Sequence, residues 1–163
     1  MAHPKGYSSV QIGLHWLIAI SIIAAFFTHE VMHDRFDERL ASGITPGPSD
    51  GTWHTILGGL AFALVIVRVI VRWRRGAPPA PEETSPQLAR AIHWGHMLIY
   101  ALIIGVPLGG MAAWFGGIEI AGGVHGIVGK LLMLVVLGHA GMAIFHQVAL
   151  KDGTLMRMLR PGR

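Results

Sequence analysis

Residues 124–150 read VHGIVGKLLMLVVLGHAGMAIFHQVAL, and this stretch decides the fold. A helix crosses a bilayer with roughly 20 predominantly apolar residues, so the stretch is long enough to span. It also carries His125, Lys130, His139 and His146. Ionisable side chains are costly in hydrocarbon, and inside a span they point to a functional site. His139 follows His125 by fourteen residues. That is roughly 21 Å along a helix at ~1.5 Å per residue, and the two residues return to within about 40° of one face. One helix therefore presents two imidazoles to the same side at two depths.

Working outward, three more apolar runs have spanning length. The spans are predicted at about 10–31, 53–73, 91–115 and 124–150. The 163 residues are 52% hydrophobic and 13% charged, with a mean hydropathy of +0.53. Soluble domains carry about 25% charged residues, so this composition belongs to the membrane class. The expected fold is all-α, an integral membrane four-helix bundle running up-down-up-down as a single domain, 1–163. Pro107 is expected to kink the third span, which a bundle tolerates where neighbours satisfy the freed carbonyl. The first run has no small-residue cleavage site and reads as a span, not as a signal peptide.

Charge sets the expected orientation. Arg72, Arg74, Arg75 and Arg90 lie between the second and third spans. Lys151, Arg157, Arg160 and Arg163 follow the fourth, and Lys5 precedes the first. The stretch 30–52 balances Arg35 and Arg39 with Asp34, Asp37, Glu38 and Asp50, and reads as a loop. The short loop 116–123 carries Glu119 and no lysine or arginine. The positive-inside rule then puts both termini in the cytoplasm, with lipid as the surrounding partner. The stretch 76–86 is proline-rich and reads as a semi-rigid linker. The net charge of +4 follows from this topology. No basic stretch has the interleaved aromatics that track a nucleic-acid backbone, so none is expected to bind one.

The chain has ten histidines and no cysteine. The missing cysteine excludes disulfides, a thiolate haem ligand and a Cys-x-x-Cys-His haem attachment. In the expected orientation His15 and His139 share the cytoplasmic half, while His54 and His125 share the periplasmic half. Neutral imidazole is an axial ligand to haem iron. The arithmetic therefore predicts two non-covalent, bis-histidine haem b sites stacked across the membrane: His15 with His139, and His54 with His125. Gly58 and Gly59 follow His54 by one turn, Gly126 and Gly129 flank His125, and Gly138 and Gly141 flank His139. Glycine leaves room for a flat macrocycle, although small residues also pack helix on helix in membranes.

Other charged groups have two readings each. Arg68 suits a haem propionate, and Arg72 reads as an interfacial anchor. Lys130 lies about one and a half turns into its span; it can snorkel, steer a small anion or pair with a propionate. His146 is a candidate quinone or proton-transfer residue. His93 and His96 open the third span, either near a quinone or simply at the interface. His29 and His33 have the i, i+4 spacing of a metal pair but no third ligand in view, so they read as a surface feature. His3 reads as tail.

Several stretches together resemble the bacterial cytochrome b561 family. They are Gln11-Ile12-Gly13-Leu14-His15-Trp16-Leu17, Trp53-His54 with Gly58, His93-Trp94-Gly95-His96, and His125, His139 and His146 of the last span. The tail Lys151-Asp152-Gly153-Thr154-Leu155-Met156-Arg157-Met158 is similar to that family's tail. The resemblance covers nearly the whole chain. It implies a four-helix bundle in the bacterial inner membrane with two b haems on the histidine pairs named above. It also implies oxidation of superoxide at the periplasmic side, with ubiquinone as electron acceptor. Other relatives are cytochrome b subunits that relay electrons for a partner dehydrogenase or hydrogenase. The loop 116–123 is shorter here than in superoxide-oxidising relatives. Two rivals remain. A proton-coupled transporter predicts a colourless protein. A zinc or copper site needs three or four ligands at one depth.

Overall fold

A computed structural model describes residues 6–44, 50, 52–79 and 84–162. The described residues are all helical, with no strand. Five α-helices follow one another: α1 Ser9–Phe27, α2 His29–Ser42, α3 Trp53–Arg75, α4 Pro86–Gly116 and α5 Glu119–Phe145. A π turn, His146–Leu150, and a short 3-10 helix, Leu155–Met158, complete the chain. Four helices, α1, α3, α4 and α5 with its π turn, are long and apolar enough to cross a membrane.

Local chemistry sets the helix ends. Ser8 caps α1 through a capping box with Gln11: the Gln11 amide donates to Ser8 Oγ at 3.3 Å, and the Ser8 amide donates to Gln11 Oε1 at 3.0 Å. Each side chain thereby satisfies an amide that the first helical turn leaves open. Ser85 caps α4 with Pro86 as its first residue, where a missing N–H costs nothing. Gly117 ends α4 in the left-handed region, which glycine enters without a Cβ penalty. The α4–α5 connection is only Gly117 and Ile118, shorter than the expected loop 116–123.

The stretch 30–52 departs from expectation. It was expected as a loop after a span ending near 31, but α1 stops at Phe27 and α2 follows at His29. The Thr28 hydroxyl donates to the carbonyls of Ala24 and Ala25 at 3.0 and 3.1 Å. These side-chain bonds take up the last carbonyls of α1 and close it there. Helix α2 has Met32, Phe36 and Leu40 at i, i+4 and i+8, an apolar stripe of helical period. Arg35–Glu38 and His33–Asp37 pair along its exposed side at 3.8 and 3.4 Å. A hydropathy reading registers the charges of this segment and passes over the stripe. Part of the expected linker, 80–83, lies outside the described residues.

The closest packing is of α1 on α3 and of α4 on α5, and α3 meets α4 more lightly. Ile18, Val65, Leu102, Ile103 and Leu132 form one core drawn from all four long helices. Large apolar side chains such as Leu17, Ile20, Leu134 and Val148 are exposed. Lipid tails are as apolar as these groups, so burying them against one another gains little, and polar ties hold such bundles together. At one end Arg68 donates to the Gln11 carbonyl at 2.5 Å and to Tyr100 Oη at 3.3 Å, joining α3 to α1 and α4. At the same end Trp16 Nε1 donates to the Met158 carbonyl at 2.7 Å and Gln11 Nε2 to that of Gly76 at 2.9 Å.

Candidate functional site

Two pairs of imidazoles bridge the bundle, and α5 contributes to both. At the end where α3 begins, the rings of His54 and His125 have centroids 5.7 Å apart and perpendicular planes. At the opposite, arginine-rich end, the rings of His15 and His139 are 6.3 Å apart. An imidazole nitrogen lies about 2 Å from a metal it ligates, so two rings that share one ion have centroids roughly 6 Å apart. Both pairs have that spacing.

The first pair is oriented by backbone. His54 Nδ1 donates to the Ala25 carbonyl at 2.8 Å, and His125 Nδ1 to that of Val106 at 2.7 Å. A carbonyl only accepts, so the proton sits on Nδ1 and the lone pair on Nε2. This is the outer hydrogen bond that fixes ring and tautomer in histidines that ligate metal. The Ala25 carbonyl lies in the last turn of α1 and is shared, also accepting from the Thr28 amide and hydroxyl. Gly110 adds a notch: a Cβ on it would lie 2.9 Å from His125 Cε1.

Space for a flat group is present at the His54–His125 end. A Cβ added to Gly58, Gly59, Gly126, Gly129, Gly138 or Gly141 would meet nothing within 4 Å. Gly58, Gly59, Gly126 and Gly129 border open volume beside His54 and His125, whereas Gly138 and Gly141 are exposed. Around His54 and His125 that volume is a cavity of about 1180 Å³, also lined by Lys130 and by Met32, Phe36 and Leu40 of α2. The room and the donor set fit a haem held by two imidazoles.

The remaining candidates fall as follows. Arg68 is half-buried and engaged with Gln11 and Tyr100. His96 has its ring 5.2 Å from that of His139, nearer than His15, and its Nδ1 donates to the Ile92 carbonyl at 2.7 Å. Sequence left His96 between a quinone contact and the interface, and nothing in its spacing pointed to His139. His93 is exposed. His29 is exposed, with its ring stacked on Phe26. His3 lies outside the described residues. Among the described residues no three histidine or carboxylate side chains converge to hold a metal ion, so nothing there supports a zinc or copper centre.

His146 is buried at the arginine-rich end, and its Nδ1 donates to Asp152 Oδ2 at 2.5 Å. Sequence reasoning did not single out Asp152. Burial pushes its carboxyl up, but hydrogen bonds from His146 and Thr154 outweigh this and hold it at about 2. It is therefore a carboxylate at neutral pH and an acceptor for the imidazole.

The model of the prokaryotic cytochrome b561 family matches residues 6–161. This chain belongs to that family. As a cytochrome b561 protein it is a bacterial membrane protein of electron transfer, and a cytochrome b of this kind binds haem b. It is 34% identical over 161 residues to a cytochrome b562 of Cereibacter sphaeroides, with 99% of each chain covered. It is 29% identical over 180 residues to a probable superoxide oxidase, CybB, of Yersinia pestis, covering 95% of this chain and 96% of that one. It is 25% identical over 186 residues to cytochrome b561 homolog 2 of Escherichia coli, covering 96% and 92%.

Proposed function

We propose that this cytochrome b561 protein is a superoxide:ubiquinone oxidoreductase of the bacterial inner membrane. Its long helices run up-down-up-down with both termini in the cytoplasm. Two b haems are held by His54 with His125 on the periplasmic side and by His15 with His139 on the cytoplasmic side. The observation that carries this reading is the pair of cross-helix histidine couples, 5.7 and 6.3 Å between centroids, at opposite ends of the bundle.

Haem b, when bound, supplies a one-electron carrier at each end. The chain does the rest. His54 and His125 present Nε2 lone pairs because backbone carbonyls hold their Nδ1 protons. Lys130 lines the same cavity and attracts a small anion such as superoxide into it. Arg68 holds α3 to α1 and α4 and offers its remaining N–H groups to a propionate. His146 serves the quinone. The overall reaction balances as two superoxide ions, one quinone and two protons giving two O2 and one quinol. The relative named a probable superoxide oxidase supports this choice of donor.

A second reading has its own observation. Helix α2 lies over the His54–His125 cavity and exposes Glu30, Asp34, Asp37 and Glu38 against Arg35. An acidic face attracts a basic protein more readily than an anion, which fits an electron-relay subunit serving a partner. One experiment separates the two. Oxidised, purified protein receives a steady flux of superoxide while the haem bands are followed, with and without ubiquinone and with superoxide dismutase as control. Haem reduction that dismutase abolishes and ubiquinone drains is the expected result. Haems that stay oxidised under the flux transfer the assignment to the relay subunit. A colourless protein overturns both and restores the transporter.

A further inference from the structure

Helix α2 shows two faces to the rest of the chain. Met32, Phe36 and Leu40 line the His54–His125 cavity. Val31 and Arg35, also one turn apart, line a second groove of about 590 Å³ between α2, the end of α1 and the start of α3. The two volumes share no lining residue. The groove has the size of a small-molecule site, ~300–1,000 Å³. Phe27, Val31, Trp53 and Ile56 form its walls, and all four are exposed, Phe27 at 77% and Trp53 at 70%. Side chains so open serve no core and face lipid. Helix α3 has 23 residues, ~35 Å at ~1.5 Å per residue, against a hydrocarbon thickness of ~30 Å. Its first residue, Trp53, therefore stands at headgroup level, where aromatic rings concentrate. Arg35 and Asp50 line the same groove, one cation and one anion. Thr52 joins them. Its hydroxyl donates to Met32 Sδ at 3.4 Å, which leaves the oxygen lone pairs to accept. The Arg35–Glu38 contact spans 3.8 Å between two exposed side chains. That is longer than a charge-assisted hydrogen bond of ~2.8 Å and does not hold the guanidinium against a stronger anion.

We propose that this groove seats one phosphatidylethanolamine molecule, its phosphate on Arg35, its ammonium on Asp50 and its acyl chains along Phe27, Val31 and Ile56. The charge pattern selects this lipid. A guanidinium meets a phosphate with paired N–H groups. The primary ammonium has N–H groups to donate to the Asp50 carboxylate and to the Thr52 oxygen. The ammonium of phosphatidylcholine is fully methylated and donates nothing. Phosphatidylglycerol brings no cation, so Asp50 repels its net charge. The apolar walls select a lipid over a free headgroup, which has nothing to lay along them. A lipid in this place ties α2 to α1 and α3 from outside the cavity. The site is independent of the electron donor and acceptor.

The test titrates haem-loaded protein in a non-ionic detergent with dioleoyl phosphatidylethanolamine, phosphatidylcholine and phosphatidylglycerol, and counts bound lipid by native mass spectrometry. One phosphatidylethanolamine is expected to bind about tenfold tighter than either of the others, the effect of one charge-assisted hydrogen bond. Arg35→Gln is expected to weaken it by about tenfold on the same grounds. Arg35→Lys recovers part of the loss, because lysine keeps the charge without the fork. Asp50→Asn is expected to abolish the preference for phosphatidylethanolamine over the other two. Both side chains are exposed, and unchanged haem spectra verify that each variant is folded. Equal affinity of the wild type for the three lipids overturns the site. So does a preference that survives Asp50→Asn, or an affinity that Arg35→Gln leaves unchanged. Tightest binding of phosphatidylglycerol reduces the groove to a basic patch and overturns it too. Glycerophosphoethanolamine, the same head without chains, is expected not to displace the lipid at equal concentration; displacement overturns the choice of a lipid.

Discussion

A methyl group on Gly110 would lie 2.9 Å from Cε1 and 3.0 Å from Nδ1 of His125, whereas one on Gly109 would stand 3.8 Å from His125 Cβ. The two glycines are adjacent on α4, so the same substitution at each separates a local clash from a general effect on the helix. Gly110→Ala is expected to push the His125 ring off the Val106 carbonyl and to cost about 1–3 kcal/mol, as overpacking does. If each histidine couple holds a haem as proposed, electron paramagnetic resonance should show altered g-values for the haem at that end alone, and Gly109→Ala should leave both unchanged. Lys130 makes a kinetic prediction. If it steers superoxide, Lys130→Gln lowers the second-order rate of haem reduction several-fold and flattens its dependence on ionic strength, because screening acts on the charge removed. Stopped-flow measurements at two salt concentrations check this. Asp152 makes a stability prediction. Its folded value, about 2, lies below its ordinary value of 3.8, so the folded state binds fewer protons there. Its contribution is full above the ordinary value and is lost as pH falls from there toward 2. Asp152→Asn should therefore lower the melting temperature at pH 7 and narrow the gap to wild type in that acidic window.

At the scale of the element, α2 shows where hydropathy stops being informative. Its apolar stripe is only three residues long and lies among charges, so the segment is polar on average while one face is not. What holds that face is distant in sequence. Arg39 Nε donates to the Trp114 carbonyl at 2.9 Å, and a Cβ on Gly122 would collide with the Phe36 ring. Helix α2 therefore rests on the tight α4–α5 turn, and the brevity of that turn makes the seat. Arg39→Ala should loosen this contact. Hydrogen exchange of α2 is expected to rise, with the four long helices and the haem content unchanged. Gly122→Val should do the same more strongly. The four long helices were legible because length and apolarity are local properties; their ends shifted by a few residues where side-chain caps, not hydropathy, decide.

At the scale of the whole molecule, the proposed two-haem arrangement predicts two ends that answer separately. Replacing His54 or His125 by alanine should remove one haem and leave most of the other, and replacing His15 or His139 should do the reverse. Haem counting by the pyridine haemochrome method and redox titration check this. Loss of both haems from any one of these variants, still folded by circular dichroism, would mean that the couples do not act as separate sites.

By itself the sequence determined the membrane class, the helical fold, the positions of four long apolar helices and two histidine depths on the last of them. These depend on composition and on the helical repeat, which any window of the chain displays. Only the tertiary structure decided that His96 joins His139, that α2 folds back over the cavity, and that Asp152 seizes His146. Each of these depends on a chain reversal or a helix end that brings distant groups together, and no periodicity within a single segment encodes such a meeting.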